Sequence, residues 1–189
     1  MLDKPRNLLK QGYKMLIRAY ATSDLDTLFA INQAGVPGVG NETKTSLETW
    51  INLSTAFIAA DEKNTPLGFL TVIEPGTKRY DSENLRWFEA YLRQYGGDLI
   101  YVDRIAVAET ARGQNIGERL YKAAFEAFAS RQQIGCEVNI QPPNPGSMRF
   151  HARLGFKRIG ERSYDRGRKS VAYYVRPLSD KGLASNGLP

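Results

Sequence analysis

The chain predicts an α/β (α+β) domain built on a central sheet, and three observations carry that prediction. Leu99 to Val107 is an aromatic and β-branched run with partial alternation, and it follows the breaker pair Gly96-Gly97 as a central strand would. Ile116, Leu120, Ala123, Ala127 and Phe128 then recur at helical spacing, with Glu118, Arg119, Lys122 and Glu126 on the opposite face, which marks an amphipathic helix. A chain of 189 residues is one domain in length and long enough to bury a sizeable core.

The elements follow in chain order. Residues 1–13 form an N-terminal segment expected to fray, 14–177 a single domain, and 178–189 a polar, glycine-bearing tail. Lys14 to Ala21 reads as a strand. Ser23-Asp24-Leu25-Asp26 opens a helix with a cap and early acids that suit the helix dipole, and it runs to about Gln33. Ala34 to Glu42 is a glycine-rich loop, followed by a second helix from about Ser46 to Leu53 and strands near Ala56 to Ala60 and Leu67 to Ile73. Ser82 caps a further helix, which Trp87, Phe88 and Tyr91 are expected to pack on the sheet. Beyond the central strand and its helix come a strand at Cys136 to Ile140, a helix through Met148 to Leu154, and strands at Lys157 to Arg162 and Lys169 to Arg176.

The turn between the central strand and its helix carries the chemistry. Arg112-Gly113-Gln114-Asn115 supplies a cation, a residue without Cβ, and asparagine, the side chain that best tolerates positive φ. Such a turn aims successive N–H groups at one anion. The first N–H groups of the following helix lack intrahelical acceptors and sit at the positive end of its dipole, so a diphosphate is the natural ligand. The spacing fits neither a Walker loop nor a dinucleotide fingerprint. Further on, Asn144 is a good N-cap, Pro145 suits the first helical position and Gly155 the C-cap. Asn144 and His151 share a face of that helix and can address one ligand.

With these residues in place, the chain resembles the GNAT superfamily of N-acetyltransferases. Arg112-Gly113-Gln114-Asn115-Ile116-Gly117 is similar to the family's motif A, R/Q-x-x-G-x-G/A, with Asn115 in place of its first glycine. Asn144, Ser147, Phe150, Gly155 and Phe156 match motif B, with His151 where the family has tyrosine. The resemblance covers residues 14–177 and is strongest from 99 onward. It implies a mixed, mostly antiparallel central sheet of six to seven strands flanked by helices, with a splayed central strand that forms an acetyl-CoA cleft.

The same resemblance implies an acyltransferase that moves an acetyl group from acetyl-CoA, a co-substrate, to a primary amine by direct attack in a ternary complex. The acceptor is unidentified and no metal is expected. Cofactor contacts fall to the backbone of Ile105, Ala106 and Val107, to Arg112 and the N–H groups of Gly113, Gln114, Asn115, Ile116 and Gly117, and to Asn144. His151 stands where the family often places the acid that protonates the departing thiolate, and imidazole titrates near neutrality. The general base is open between Asp103, Glu137 and a water chain. Tyr101, Asp103, Ile105 and Val107 project from one strand face unless a bulge, common in this strand of the family, resets the alternation. The acceptor side of the cleft falls to Asn41 and Glu42 of the glycine-rich loop and to Tyr80 and Asp81, expected exposed before the Ser82 cap.

Composition bounds the alternatives. Twenty-six Lys plus Arg against 20 Asp plus Glu give a net charge of +6 and a pI near 9.4, which suits a polyanionic cofactor, nucleic acid or a basic soluble surface. A lone cysteine, Cys136, excludes an intramolecular disulfide framework and fits a reducing cytoplasm. The N-terminus lacks the apolar core of a signal peptide and no apolar run reaches membrane-spanning length, so a cytoplasmic protein without a membrane partner is expected. Two rival readings remain. One is a CoA-binding sensor or regulatory domain without chemistry. The weaker is a nucleic-acid-binding module using Lys157, Arg158, Arg162, Arg166, Arg168 and Lys169 with Tyr164, Tyr173 and Tyr174 interleaved. A homodimer is a further expectation, because terminal strands of this family often join subunits.

Overall fold

The structure, a computed structural model, describes residues 15–178; the expected N-terminal segment 1–13, Lys14 and the tail from 179 onward lie outside the described residues. Seven strands make one sheet: β1 (Leu16–Ala19), β2 (Thr55–Ala60), β3 (Pro66–Ile73), β4 (Leu99–Val107), β5 (Gln133–Gln141), β6 (Lys157–Tyr164) and β7 (Lys169–Pro177). Their order is β1-β2-β3-β4-β5-β7-β6, and every neighbouring pair is antiparallel except β4 and β5. A parallel pair needs a crossover. The amphipathic helix read from the sequence, α4 (Ile116–Ala127), supplies it.

Strand alternation sorts the core into two sides. Leu70, Val72, Ile100, Val102, Ile134 and Cys136 face α4, where Leu120, Tyr121 and Ala124 cover them, with α5 (Pro145–Arg153) alongside. On the other side Ile73, Leu99, Tyr101, Val171 and Tyr173 meet Leu85 and Phe88 of α3 (Glu83–Tyr95). On that same side Ile58 and Phe69 meet Leu28 and Ile31 of α1 (Leu25–Gly35) and Leu47 and Ile51 of α2 (Lys44–Asn52). Trp87 stacks on Tyr173 at 3.8 Å between ring centroids and on Tyr91 at 5.9 Å, so the aromatic residues of α3 pack this helix on the sheet as expected.

Two helix starts differ from the sequence reading. A 3-10 turn at Thr22–Asp24 precedes α1, because Asp24 accepts the Ala21 N–H at 2.9 Å and pairs with Arg18 at 2.7 Å, which bends the chain before the helix can begin. α2 begins at Lys44 rather than Ser46, since Thr43 Oγ1 caps it by accepting the Ser46 N–H at 3.0 Å. Ser82 caps α3 and Asn144 caps α5 as their residue types predict. Gly155, at φ +83°, ends α5.

Candidate active site

A bulge in β4 builds the site. Val102 pairs with Val72 and Arg104 with Thr71, so Asp103 is the extra residue on β4. The insertion resets the alternation. Tyr101 and Asp103 stay on the α3 side while Ile105 and Val107 pack toward α4, the outcome foreseen for a bulge in this strand. At the same level the parallel ladder stops, with Val102–Cys136 the last β4–β5 pair although both strands continue. A cleft of about 1100 Å³ occupies the gap, lined by residues from both helical faces. The backbone of Ile105, Ala106 and Val107 pairs only with β3 and borders the cleft on its other edge.

The α4 side of the cleft carries the Arg112–Asn115 turn from which the sequence predicts anion binding. Gly113 has φ +77° and Asn115 φ +59°, conformations that glycine and asparagine adopt at low cost. The first helical bond runs from Arg119 N to Asn115 O at 3.1 Å, so the N–H groups of residues 116–118 have no acceptor within the helix. Gly117 lets α4 lie against α5, because a Cβ there would stand 3.0 Å from the Phe150 ring. Arg112 is exposed at the rim of the cleft, in an ion pair with Glu109 at 3.5 Å. Gln114 is not among the residues lining the cleft; its amide lies 3.5 Å from Thr110 O, so only its backbone is available to a ligand. Asn144 lines the cleft at the α5 cap, with its amide nitrogen beside Gly38. These groups fit a diphosphate-bearing donor.

On the α1–α3 side stand both acidic candidates. The Tyr101 hydroxyl donates to Glu137 Oε2 at 2.8 Å. Burial first, and then the nearby charge of Asp103, push the Glu137 carboxyl up to about 8. Asp103 accepts a short hydrogen bond from the Tyr80 hydroxyl and a long one, 3.5 Å, from Thr71, and burial raises its carboxyl against the Arg104 guanidinium, which lowers it. Arg104 is 6% exposed. It donates to Asn32 Oδ1 at 2.9 Å and Glu42 Oε1 at 3.1 Å, and its Nε lies 3.6 Å from Asp103 without a hydrogen-bond partner. Glu42 also accepts from Trp50 Nε1 at 3.3 Å, and Trp50 meets Tyr80 edge to face at 5.0 Å. A closed ring, Asp103–Arg104–Glu42–Trp50–Tyr80, thus ties the bulge to the loop before α2, to α2 and to the loop before α3.

That ring corrects two acceptor-side expectations. Glu42 is turned to Arg104 and Trp50 and does not line the cleft, whereas Asn41 does. Tyr80 lines the cleft but is 6% exposed, since its hydroxyl is drawn in by Asp103; Asp81 is exposed but outside the cleft. Asn139 donates to Pro37 O at 2.9 Å, so the loop after α1 reaches across to β5. Sequence reasoning missed Tyr101, Arg104, Asn32 and Tyr121. Arg104 and Asn32, far apart in the chain, carry no local pattern that would reveal a buried polar pair.

His151 lines the cleft and is 2% exposed among Tyr121, Phe150 and Phe156. Its Nδ1 lies 2.8 Å from Ser147 O, which can only accept, so that nitrogen carries the proton. Nε2 then accepts from the Tyr121 hydroxyl at 2.8 Å. Burial holds the imidazole below its ordinary value, against the Ser147 hydrogen bond that raises it. Cys136 is buried beside Tyr121, its thiol pushed well up by burial, which unfits it as a nucleophile. Among the described residues no cluster of His, Cys, Asp and Glu could hold a metal, and no helix is long and apolar enough to cross a membrane.

The parted central strands and the Arg112 turn beside the gap accord with an acyltransferase, the class that the family comparison shows. The family profile described as Acetyltransferase (GNAT) family matches residues 25–156, and the chain belongs to that family. Among curated proteins it is 39% identical over 79 residues to a phosphinothricin N-acetyltransferase of Streptomyces coelicolor, covering 39% of this chain and 46% of that one. It is 29% identical over 87 residues to an L-2,4-diaminobutyric acid acetyltransferase of Nocardia farcinica, covering 44% and 45%. The matches thus span a little under half the length of these relatives. In fold, the chain is similar to the Escherichia coli ribosomal-protein-S18-alanine N-acetyltransferase, with TM-score 0.65, 15% identity, and coverage of 93% of this chain and 99% of that one. It is likewise similar to a Sinorhizobium meliloti phosphinothricin acetyltransferase in complex with AcCoA, with TM-score 0.63, 19% identity, and coverage of 91% and 92%.

Proposed function

We propose that the chain transfers the acetyl group of acetyl-CoA to a primary amine by direct attack within a ternary complex. The observation that carries this reading is the coincidence of three things at one level of the sheet: the Asp103 bulge, the end of the β4–β5 ladder and the buried carboxyl of Glu137. Acetyl-CoA, as co-substrate, supplies the thioester carbonyl that is attacked. Arg112 and the N–H groups of residues 113–117 hold its diphosphate on the α4 side, Asn144 takes the pantetheine side, and the unpaired backbone edge of Ile105 to Val107 accepts its amides.

Glu137 is assigned as the general base. Its lone pairs are less committed than those of Asp103, and a carboxyl near 8 takes a proton from an ammonium far more readily than one of ordinary strength. After burial, the charge of Asp103 adds to that strength, and with Tyr80 and Arg104 Asp103 fixes the geometry of the acceptor side. His151, neutral and spent on Ser147 and Tyr121, is assigned the orientation of Tyr121 rather than proton donation to the thiolate. Holding both reactants in one cleft supplies much of the acceleration. The test is calorimetric titration with acetyl-CoA of wild type and Arg112→Glu, followed by CoA-release assays on an amine panel with Glu137→Gln. Micromolar binding weakened by Arg112→Glu and turnover lost in Glu137→Gln support the reading. Tight binding with no turnover on any amine returns the sensor reading, and absence of binding by folded protein refutes the donor site.

A further inference from the structure

The α1–α3 side of the cleft is electrically polarised. Its floor holds the carboxyls of Asp103 and Glu137. Lys169, the first residue of β7, also lines the cleft and is exposed, and its charge acts on Glu137. Val171 and Tyr173, at alternate positions on the same strand, face α3, so Lys169 belongs to that side too. Among the described residues Lys169 has no carboxylate at salt-bridge distance. It also lies across the sheet from the Arg112 turn, so it is not placed to serve the donor's diphosphate.

The rest of this lobe mixes apolar and polar groups, with Val36, Pro37 and Val39 of the loop after α1 along one wall. Ser82, Asn84 and Asn139 also line the lobe, while the Tyr80 ring is packed inward on Trp50. These walls do not by themselves choose between amines, so the choice falls to the charged floor and Lys169. A plain amine would use the floor alone, an acceptor that also carries an anion could pair with Lys169 as well, and a diamine would bring a second cation against it.

We propose that the acceptor is a small zwitterion, an amine that also carries a carboxylate or similar anion, seated with its amine on the carboxyl floor and its anion at Lys169. The inference rests on the acetyl-transfer reading above and narrows its substrate. Matched pairs differing only in the carboxylate test it: alanine against ethylamine and lysine against cadaverine, assayed by CoA release from saturating acetyl-CoA with wild type, Lys169→Met and Lys169→Glu. Titration with acetyl-CoA checks that each variant is folded. Wild type is expected to favour the carboxylate-bearing member by tenfold or more in kcat/KM. Lys169→Glu should shrink that ratio at least tenfold, chiefly through KM, and Lys169→Met should fall between. Equal or better turnover of the carboxylate-free twins, or a ratio unmoved by Lys169→Glu, overturns the substrate class and leaves acetyl transfer standing. No turnover of these four while other amines of the panel are acetylated likewise overturns the substrate class; no turnover across the whole panel, with acetyl-CoA bound, sinks acetyl transfer and this inference with it.

Discussion

Replacing Asp103 by asparagine should shift the acidic limb of the pH–rate profile to lower pH, although it removes a carboxylate from the site. A general base works ionised, so kcat/KM climbs as pH rises through the Glu137 value, about 8 in the wild type. Part of that elevation comes from Asp103. The bulge residue lies just past the Val102–Cys136 pair, level with Glu137 on the neighbouring strand. Two carboxylates on the order of 7 Å apart, at an effective dielectric of about 20, repel by roughly 2 kcal/mol, equivalent to about one and a half pH units. Burial raises Asp103 as well, against Arg104, and any weakening of its charge would reduce the repulsion, so this shift is an upper value. The limb of Asp103→Asn is therefore expected between about 6.5 and 7.5.

The assay is initial-rate CoA release across the pH range at acceptor concentrations well below KM. It should be repeated with two amines of different basicity, because a limb that belongs to the enzyme stays in place while one that belongs to the substrate moves with it. A limb that remains at the wild-type position in Asp103→Asn, or that moves upward, would refute the coupling of the two carboxyls. Survival of the same limb in Glu137→Gln would refute the assignment of the base.

The remaining predictions concern stability and the imidazole. Glu137 is raised above its unfolded value of about 4.3, so its contribution is fully present below that pH and is lost as pH rises through about 8. Glu137→Gln should therefore stabilise the protein at pH 8.5 by on the order of 2–4 kcal/mol and change little at pH 4, as read by denaturant melts at both values. Arg104→Met strands Glu42 and Asn32 against a buried wall, and chemical denaturation should show a loss of about 3–5 kcal/mol. His151→Ala empties a site packed by Tyr121, Phe150 and Phe156 and leaves the Tyr121 hydroxyl unpaired, at a cost of about 2–4 kcal/mol. Its pH–rate limbs should keep their wild-type positions; the loss of a basic limb in this variant would restore the imidazole as acid.

The sequence made local chemistry legible and left long-range polar chemistry hidden. The β4 strand, the Gly113–Asn115 turn, α4 and the Asn144 cap all follow from neighbouring residues whose conformational preferences and spacing agree. Asn115 in place of a glycine proves conformationally equivalent, since it takes the left-handed φ the turn needs. The bulge at Asp103 has no such local mark, because it depends on which β3 residue each β4 residue meets. Without the register, the face occupied by each carboxylate was undetermined. The exposure expected of Tyr80 and the cleft position expected of Glu42 fail for a related reason: each sits near a loop end, but a buried carboxyl draws Tyr80 inward and a buried guanidinium draws Glu42. The basic hairpin likewise spends part of its charge within the domain, Arg158 on Glu161 and Arg162 on Glu83.

Asp103 connects these two levels. As the inserted residue, it turns Arg104 to its own side of the sheet and so brings the buried ring with Glu42, Trp50 and Tyr80 against the acceptor lobe. As a charge, it opposes ionisation of Glu137. Geometry and part of the basicity at this site therefore run through one residue, and they should separate on mutation. Asp103→Asn keeps a side chain able to accept from Tyr80 and removes the charge, whereas Arg104→Met keeps the bulge residue and breaks the ring. If position matters more than charge for acetyl transfer, Arg104→Met will lose more activity than Asp103→Asn at a pH above both limbs, and acceptor KM will carry that difference, because the ring anchors the acceptor side.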